Sequence, residues 1–547
     1  MGVQTRGADL LVQALARGKT GHAFALSGNH IMPIFDAAQD AGIGLFHTRH
    51  EAACVHMADA WARLTGEVGV ALVTGGAGLG NAIGALHTSL AGETPVVLLS
   101  GHAPLCQLGT GAFQELRQAD LAAPVVKSSW TACDAATLPA DIARAFRLAR
   151  SGRPGPVHLT LPTDILNARV ESEAVAWPDV EAFQVAPMLL GRRTAQVIHG
   201  TLTNARRPLV IAPPALALRQ GRRSLDHLAA VLGIPVITME SPRGINDPGL
   251  GAFAEVLCEA DLILLVGKAL DFTLGFGAAP AVADGCEWIA IEPDPRLLAR
   301  VAASRKEQLL ITALADAASA VRALTEVAEV GLRGDPGWAR TVAQAIACRS
   351  PVEPPGASRA PCHPAAMCRS LRPFLERRPD TILVVDGGEV GQWAQAGLEA
   401  EERVINGVAG AIGSSVPFAI AAKLARPDTP VLAVLGDGSL GFHLSEFDTA
   451  ARYRLPFVAV IGNDSRWNAE HQIQLRDYGE ARAQNCSLAP GTRYDLVVAA
   501  LGGHGEFVQP GDDLGAAVDR AFASGKSACV NVITQDVPAP IVRRASA

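Results

Sequence analysis

The residues best placed to do chemistry are two short elements in the last third of the chain. Gly436-Asp437-Gly438-Ser439 follows the apolar run Val431–Leu435, and Asn463-Asp464 follows the apolar run Phe457–Ile461, with residues 439–462 between them. Apolar runs of that length read as buried strands, so both elements fall at strand carboxyl ends, where open α/β sheets bind ligands. Gly436 and Gly438 let backbone amides approach phosphate oxygens, and the helix start that follows favours negative charge. Asp437 and Asn463 offer the hard oxygen donors that Mg²⁺ combines with phosphate and water. An Asp-Gly turn alone is common. The second strand end, carrying Asn463, makes the pair specific.

A carboxylate stands at a third junction. In Leu45-Phe46-His47-Thr48-Arg49-His50-Glu51, Glu51 closes a predicted strand and opens a predicted helix. A helix start favours a carboxylate in any protein. A desolvated glutamate can also hold a proton and donate it to a ligand.

The elements that must position these residues fall into three blocks of alternating short apolar runs and amphipathic stretches, the pattern of α/β layering. Block one covers residues 1–170, with strands expected at His22–Leu26, Gly44–His47, Val68–Val73, Val96–Ser100 and Val157–Leu161. An acidic, irregular stretch over 168–190 reads as a linker. Block two covers 190–330, with strands expected at Pro208–Ile211, Pro235–Thr238, Leu262–Val266 and Trp288–Ile291. Residues 332–364, with Pro336, Pro351, Pro354, Pro355 and Pro361, read as a second boundary. Block three covers 365–540, with strands at Thr381–Val385, Val431–Leu435, Phe457–Ile461 and Ala528–Ile533. Blocks one and three share a rhythm in which an apolar stretch runs into helix-opening glycines, at Gly69–Gly78 and Val404–Gly413.

Composition excludes several classes. With 49% apolar and 18% charged residues over 547 positions, the chain can bury several cores and is unlike a disordered one. A net charge of −7 with scattered Lys and Arg gives no footprint for nucleic acid. The N-terminal residues Met1–Arg6 lack the apolar region of a secretory signal, and runs such as Leu262–Gly267 are too short to span a bilayer, so a cytoplasmic protein without membrane contact is expected. Ten dispersed cysteines without C-x-x-C fit neither a zinc site nor a disulfide framework.

The GDG element followed by an asparagine at the next strand end resembles the thiamine-diphosphate enzyme signature, and the likeness covers nearly the whole chain. It implies an α/β protein of three domains with parallel sheets, pyrimidine-binding, central Rossmann-like and diphosphate-binding in that order, and thiamine diphosphate with Mg²⁺ as cofactors. The metal ligands carried over are Asp437, Asn463 and the Ser465 carbonyl; many relatives have Asn-Asn where this chain has Gly462-Asn463. Gly436, Gly438 and Ser439 would lie along the cofactor, with Gly387–Gln392 near the diphosphate. Glu51 would donate to N1′ of the aminopyrimidine ring. In Gly410-Ala411-Ile412-Gly413, Ile412 would wedge between the two cofactor rings and the Gly410 carbonyl would accept from the 4′-amino group. Gly75–Asn81 resembles the loop beneath the pyrimidine. The resemblance further implies a homodimer or homotetramer with active sites at the subunit interface.

Among relatives, Gly109–Glu115 resembles the acetolactate synthase stretch whose Phe and Gln face the substrate, here Phe113 and Gln114. Ser27-Gly28-Asn29-His30-Ile31 is closer to benzaldehyde lyase, which implies an acid/base role for His30 beside Gly28 and Asn29. Asn468, Glu470 and His471 make the segment after the metal strand unusually polar for a substrate pocket. Lys268 stands where synthases commonly show Arg, and their Arg-Phe-Asp-Asp run is missing, which argues against FAD; Leu270-Asp271-Phe272 echoes the CoA-thioester lyases. The expected activity is carboligation or cleavage of small carbonyl substrates, 2-oxo acids or 2-hydroxy ketones, like acetolactate synthase or benzaldehyde lyase. The alternatives are a 2-hydroxyacyl-CoA lyase or oxalyl-CoA decarboxylase and, from another class, a non-catalytic regulatory protein of the same fold.

Overall fold

The computed structural model describes residues 4–331, 333–349 and 362–542. Met1–Val3 and the prolines Pro351, Pro354, Pro355 and Pro361 lie outside the described residues.

Three parallel sheets flanked by helices form the protein. The N-terminal sheet has six strands in the spatial order Gly44–His47, His22–Ala25, Gly69–Val73, Val96–His102, Val157–Pro162, Ser128–Thr131. The C-terminal sheet has the order Glu402–Ile405, Ile382–Val385, Val431–Gly436, Val458–Asn463, Ala528–Ile533, His504–Val508. Counted along the chain, both run 2-1-3-4-6-5. The central sheet has five strands, Val236–Thr238, Pro208–Ala212, Leu262–Val266, Glu287–Ile291 and Leu309–Ala313, in the order 2-1-3-4-5.

The inner strands are buried on both faces, which is why they read as unbroken apolar runs. Four strands of the parallel sheets escaped the sequence reading: Ser128–Thr131, Leu309–Ala313, Glu402–Ile405 and His504–Val508. Each is a sheet edge. An edge strand is wetted along one side, so polar residues interrupt its apolar run. Two stretches read as boundaries carry structure. Arg169–Glu171 pairs antiparallel with Gln4–Arg6. Pro336 opens a helix over Pro336–Ala347, capped by Asp335, and the buried Trp338 and Val342 join the central core. Proline at a first helical position marks a helix start as readily as a linker, so the central unit runs past residue 330.

One hydrophobic core spans both outer sheets. It joins Cys54, Met57 and Ala58 of helix Glu51–Thr65 and Ala82 of helix Ala77–Ala91 to Phe418 and Ala422 of helix Ser415–Ala425. The small side chains let these helices approach closely. No helix among the described residues is long and apolar enough to cross a membrane.

Candidate active site

In each outer sheet the strand order reverses between strands one and three, and ligand crevices open at such points. In the C-terminal sheet that crevice is lined by Asp386-Gly387-Gly388 after strand one and by Gly436-Asp437-Gly438 after strand three.

Asp437 begins the short helix Asp437–His443 and is 2% exposed. Its Oδ1 accepts from the Gly438 amide at 3.0 Å, while Oδ2 is buried without a hydrogen-bond partner. Burial pushes its pKa up to about 6. Burial, and then the neighbouring Asp437, push Asp464 up to about 7. Asn463 ends the adjacent parallel strand and is buried. Its Nδ2 donates to the Thr492 carbonyl and to Asn531 Oδ1, at 3.0 and 3.1 Å, which leaves Oδ1 on the side of the Ser465 hydroxyl at 3.2 Å. Ser465 takes φ +56°, and its carbonyl accepts from the Leu488 amide at 2.7 Å. No group of three or more His, Cys, Asp or Glu side chains able to hold a metal occurs among the described residues. Two carboxylates, a carboxamide and a carbonyl make up the cluster at Asp437 instead.

The glycines here serve close approach. A Cβ at Gly438 would meet the Trp467 ring at 2.9 Å, and one at Gly462 would meet Val390 at 2.8 Å. Ser439 is buried two residues beyond Asp437. Ile412 is half-buried, with its Cγ2 against Gly387, and Gly410 is exposed at φ +70°.

In the N-terminal sheet, Glu51 is the first residue of helix Glu51–Thr65, capped by His50, whose Nδ1 accepts from the Ala52 amide at 3.1 Å. Glu51 is 9% exposed, and Asn81 Nδ2 donates to its Oε2 at 2.9 Å. Asn81 rises from the Gly75-Gly76 loop, so that loop and Glu51 form one surface.

His30 is buried against the same loop, with Nδ1 3.2 Å from Thr74 Oγ1 and its ring stacked on Phe113 at 6.1 Å. Burial, and then His102, lower its pKa, so it is neutral at neutral pH. Gly28 passes so close to Thr74 that a Cβ would sit 2.3 Å from the Thr74 Cβ; Asn29 is exposed. Phe113 is 69% exposed. Gln114 takes φ +58° and buries Oε1 without a partner. His30, Phe113, Gln114 and the Gly76 loop are therefore neighbours. Asn468 is turned away from a free role: Nδ2 donates to the Val537 carbonyl at 2.9 Å and Oδ1 accepts from Gln472 at 3.0 Å. Glu470 is exposed and His471 half-buried on the same helix, Asn468–Tyr478.

Sequence reading missed Gln118, which is 2% exposed and holds the loop from behind. Its Oε1 accepts from the Gly76 amide at 2.7 Å, and its Nε2 donates to Ser100 Oγ at 2.9 Å. Ser100 is in turn 2.7 Å from Nε2 of His158, whose Nδ1 lies 2.8 Å from Ser129 Oγ. Burial lowers His158 to about 3. Asp386, Asn406 and His443, around the Ile412 loop, were also missed. Gln118, Asp386 and His443 act on residues distant in sequence and Asn406 on Ala411 within its own loop, and no local pattern marks them.

Two like sheets each reverse their strand order at the point where open α/β sheets bind ligands. The description of the thiamine pyrophosphate enzyme N-terminal TPP binding domain matches residues 5–121, and that of the C-terminal TPP binding domain matches residues 386–532. A probable acetolactate synthase of Mycobacterium bovis is 33% identical over 542 residues, covering 96% of this chain and 95% of that protein. Acetolactate synthase large subunit IlvG of Mycobacterium tuberculosis gives the same values. 2-Hydroxyacyl-CoA lyase 2 of Xenopus laevis is 30% identical over 579 residues, covering 91% of this chain and 85% of that protein. The chain belongs to the thiamine-diphosphate-dependent, acetolactate synthase-like enzyme family, whose members form or cleave carbon–carbon bonds.

Proposed function

We propose that this enzyme is an Mg²⁺-dependent carboligase or lyase acting on 2-oxo acids or 2-hydroxy ketones. The observation that carries the reading is the unpartnered, buried Asp437 Oδ2, beside Asp464, at the ends of two neighbouring parallel strands that also carry Asn463. A buried carboxylate oxygen without a donor is costly, and a divalent cation held there would satisfy it. Asp437, Asn463 and the Ser465 carbonyl would hold the metal. Gly436, Gly438 and Ser439 would face the diphosphate, and Gly410 and Ile412 the rings. Thiamine diphosphate, when bound, supplies the electron sink for the former carbonyl carbon.

The chain's own residues then have distinct tasks. Glu51, oriented by Asn81, would hold a proton at the N1′ edge of the pyrimidine. His30, neutral and fixed by Thr74, can accept or give a proton at a substrate hydroxyl. Gln114 would orient a substrate oxygen and Phe113 would cover the pocket. Gly28, Asn29, Asn468, Glu470 and His471 would complete the pocket rim, with Asn468 acting through the segment it holds. The domains are assigned as residues 1–170 on the pyrimidine side, 190–330 central with helix Pro336–Ala347 added to its core, and 365–540 on the diphosphate side. A homodimer or homotetramer with shared sites is supported by the exposed apolar residues at both half-sites, Phe113 and Met32 on one and Phe442 and Tyr478 on the other.

A second reading, a CoA-thioester lyase or decarboxylase, is supported by a cleft of about 1010 Å³ at the carboxyl ends of the central strands, lined by Lys127, Lys268 and Arg296 among others. Three of its four cations are paired with carboxylates, Lys268 with Asp271 at 2.8 Å, Arg296 with Asp294 at 3.0 Å, and Arg153 with Glu93 and Glu292, while Lys127 donates to the Leu148 and Ser151 carbonyls. That self-neutralisation favours the first reading, and no role for FAD is proposed.

The test is turnover of pyruvate with and without benzaldehyde or glyoxylate, in Mg²⁺ and thiamine diphosphate, with products read by mass spectrometry. A carboligation product that falls about 10²–10⁴-fold in Glu51→Gln is expected. Cofactor binding without turnover would move the assignment to a CoA-thioester donor.

A further inference from the structure

We propose that Asp386 and His443 are positioning residues that clamp the Gly413 peptide and so fix Ile412; this rests on the cofactor reading of the Gly410–Gly413 loop given above. A side chain that shapes a ligand must stand on an immobile backbone. Residues 406–414 lie between strand Glu402–Ile405 and helix Ser415–Ala425 and belong to neither. Side chains must therefore supply the anchors.

They do so on both sides of Ile412. The Ala411 carbonyl accepts from Asn406 Nδ2 at 2.7 Å. The Gly413 amide donates to both Asp386 oxygens, at 3.0 and 3.1 Å, and the Ser415 amide donates to Oδ2 at 3.0 Å. The Gly413 carbonyl lies 2.7 Å from His443 Nδ1. A carbonyl only accepts, so His443 carries its proton on Nδ1. Both peptides flanking Ile412 are held, and Gly413 is gripped at its amide and its carbonyl. Gly413 adopts φ +94°, and a Cβ there would lie 2.5 Å from the Cβ of Phe442, so the loop rests directly on the residue before His443.

His443 has little freedom to release its hold. It is 4% exposed, and its ring stands edge-on to His50 and His56 of the N-terminal unit at 5.8 and 5.5 Å. It is also the last residue of the helix that Asp437 begins. One seven-residue helix thus ties the proposed metal ligand to the loop carrying Ile412. Asp386 ties the same loop to the end of strand Ile382–Val385.

The experiment compares His443→Asn, whose Nδ2 falls near the position of Nδ1 and keeps a donor, with His443→Phe, which keeps a ring and loses the donor. Asp386→Asn serves as the second variant. Amide exchange over residues 406–414 is followed by mass spectrometry on the full chain without cofactor. Thiamine diphosphate binding in Mg²⁺ is measured by calorimetry. His443→Phe and Asp386→Asn should speed loop exchange and weaken binding about fivefold to tenfold, the loss of one buried hydrogen bond. His443→Asn should restore both to within about twofold of wild type. Wild-type loop exchange in His443→Phe, or equal impairment in His443→Asn, would overturn the clamp. If the wild-type chain binds no thiamine diphosphate, the cofactor reading fails, and loop exchange still reports separately whether the clamp exists.

Discussion

The N-terminal and C-terminal sheets share the strand order 2-1-3-4-6-5 and spend it on different chemistry. In the C-terminal sheet the oxygen donors stand at the ends of strands three and four, where Asp437 and Asn463 follow the paired residues Gly436 and Gly462 of neighbouring strands. In the N-terminal sheet the matching end of strand three, Gly75-Gly76, is bare of charge, and the one carboxylate, Glu51, follows strand two. In the C-terminal sheet the position after strand two carries the apolar Ile412. The topology fixes where side chains can converge, and local substitution decides whether a strand end binds charge or moves a proton.

The comparison can be broken by exchanging the effects of its two carboxylates. Asp437→Asn should weaken Mg²⁺-dependent thiamine diphosphate binding by about a hundredfold. Glu51→Gln, by contrast, should leave binding nearly intact and act on turnover. Isothermal titration of both variants checks this, and equal binding losses would merge the two roles. A smaller effect separates the sheets by pH. His158 is buried in the N-terminal sheet, and its folded pKa of about 3 lies below the ordinary 6.5, so the unfolded chain binds more protons between these values. Its contribution to stability is complete above about pH 6.5 and is lost as pH falls toward 3. At pH 5 the loss is on the order of 2 kcal/mol. Urea midpoints at pH 7 and 5 should converge in His158→Gln relative to wild type; an unchanged pH slope would remove His158 from the account. The smallest effect concerns the glycines of the two crevices. Gly76 and Gly388 both take positive φ, but a Cβ on Gly76 would meet the Gln114 carbonyl at 2.6 Å, whereas Gly388 has open space. Gly76→Ala should cost about 1–3 kcal/mol, and Gly388→Ala about 1 kcal/mol, read from thermal melts.

The sequence was legible where burial imposes a pattern. Inner strands such as Val431–Gly436 and Val458–Asn463 appear as apolar runs because both faces are covered, and the strand-end residues Asp437 and Asn463 could be found by counting from them. The start of helix Glu51–Thr65 was visible from the strand before it. Edge strands such as His504–Val508 were not, because their half-exposed side admits polar residues such as His504 and Glu506. Gln118, Asp386 and His443 were invisible for another reason. Each bonds a backbone group that only the fold brings near: Gln118 to Gly76, Asp386 to Gly413, and His443 to a carbonyl thirty positions earlier. Ser465, by contrast, was reached only through the family resemblance, and its left-handed backbone and its carbonyl bond to Leu488 could not be read there.

The core shared by helices Glu51–Thr65, Ala77–Ala91 and Ser415–Ala425 bears on how the chain comes apart. The central sheet buries its own side chains in two separate clusters, whereas each outer sheet has one cluster of its own and shares another with its counterpart. Opening either outer sheet strips apolar cover from the other, so the weakest seam for partial unfolding runs around the middle of the chain. Residues far apart in sequence, at the first and last thirds, thus form a single cooperative melting unit into which the central third is inserted.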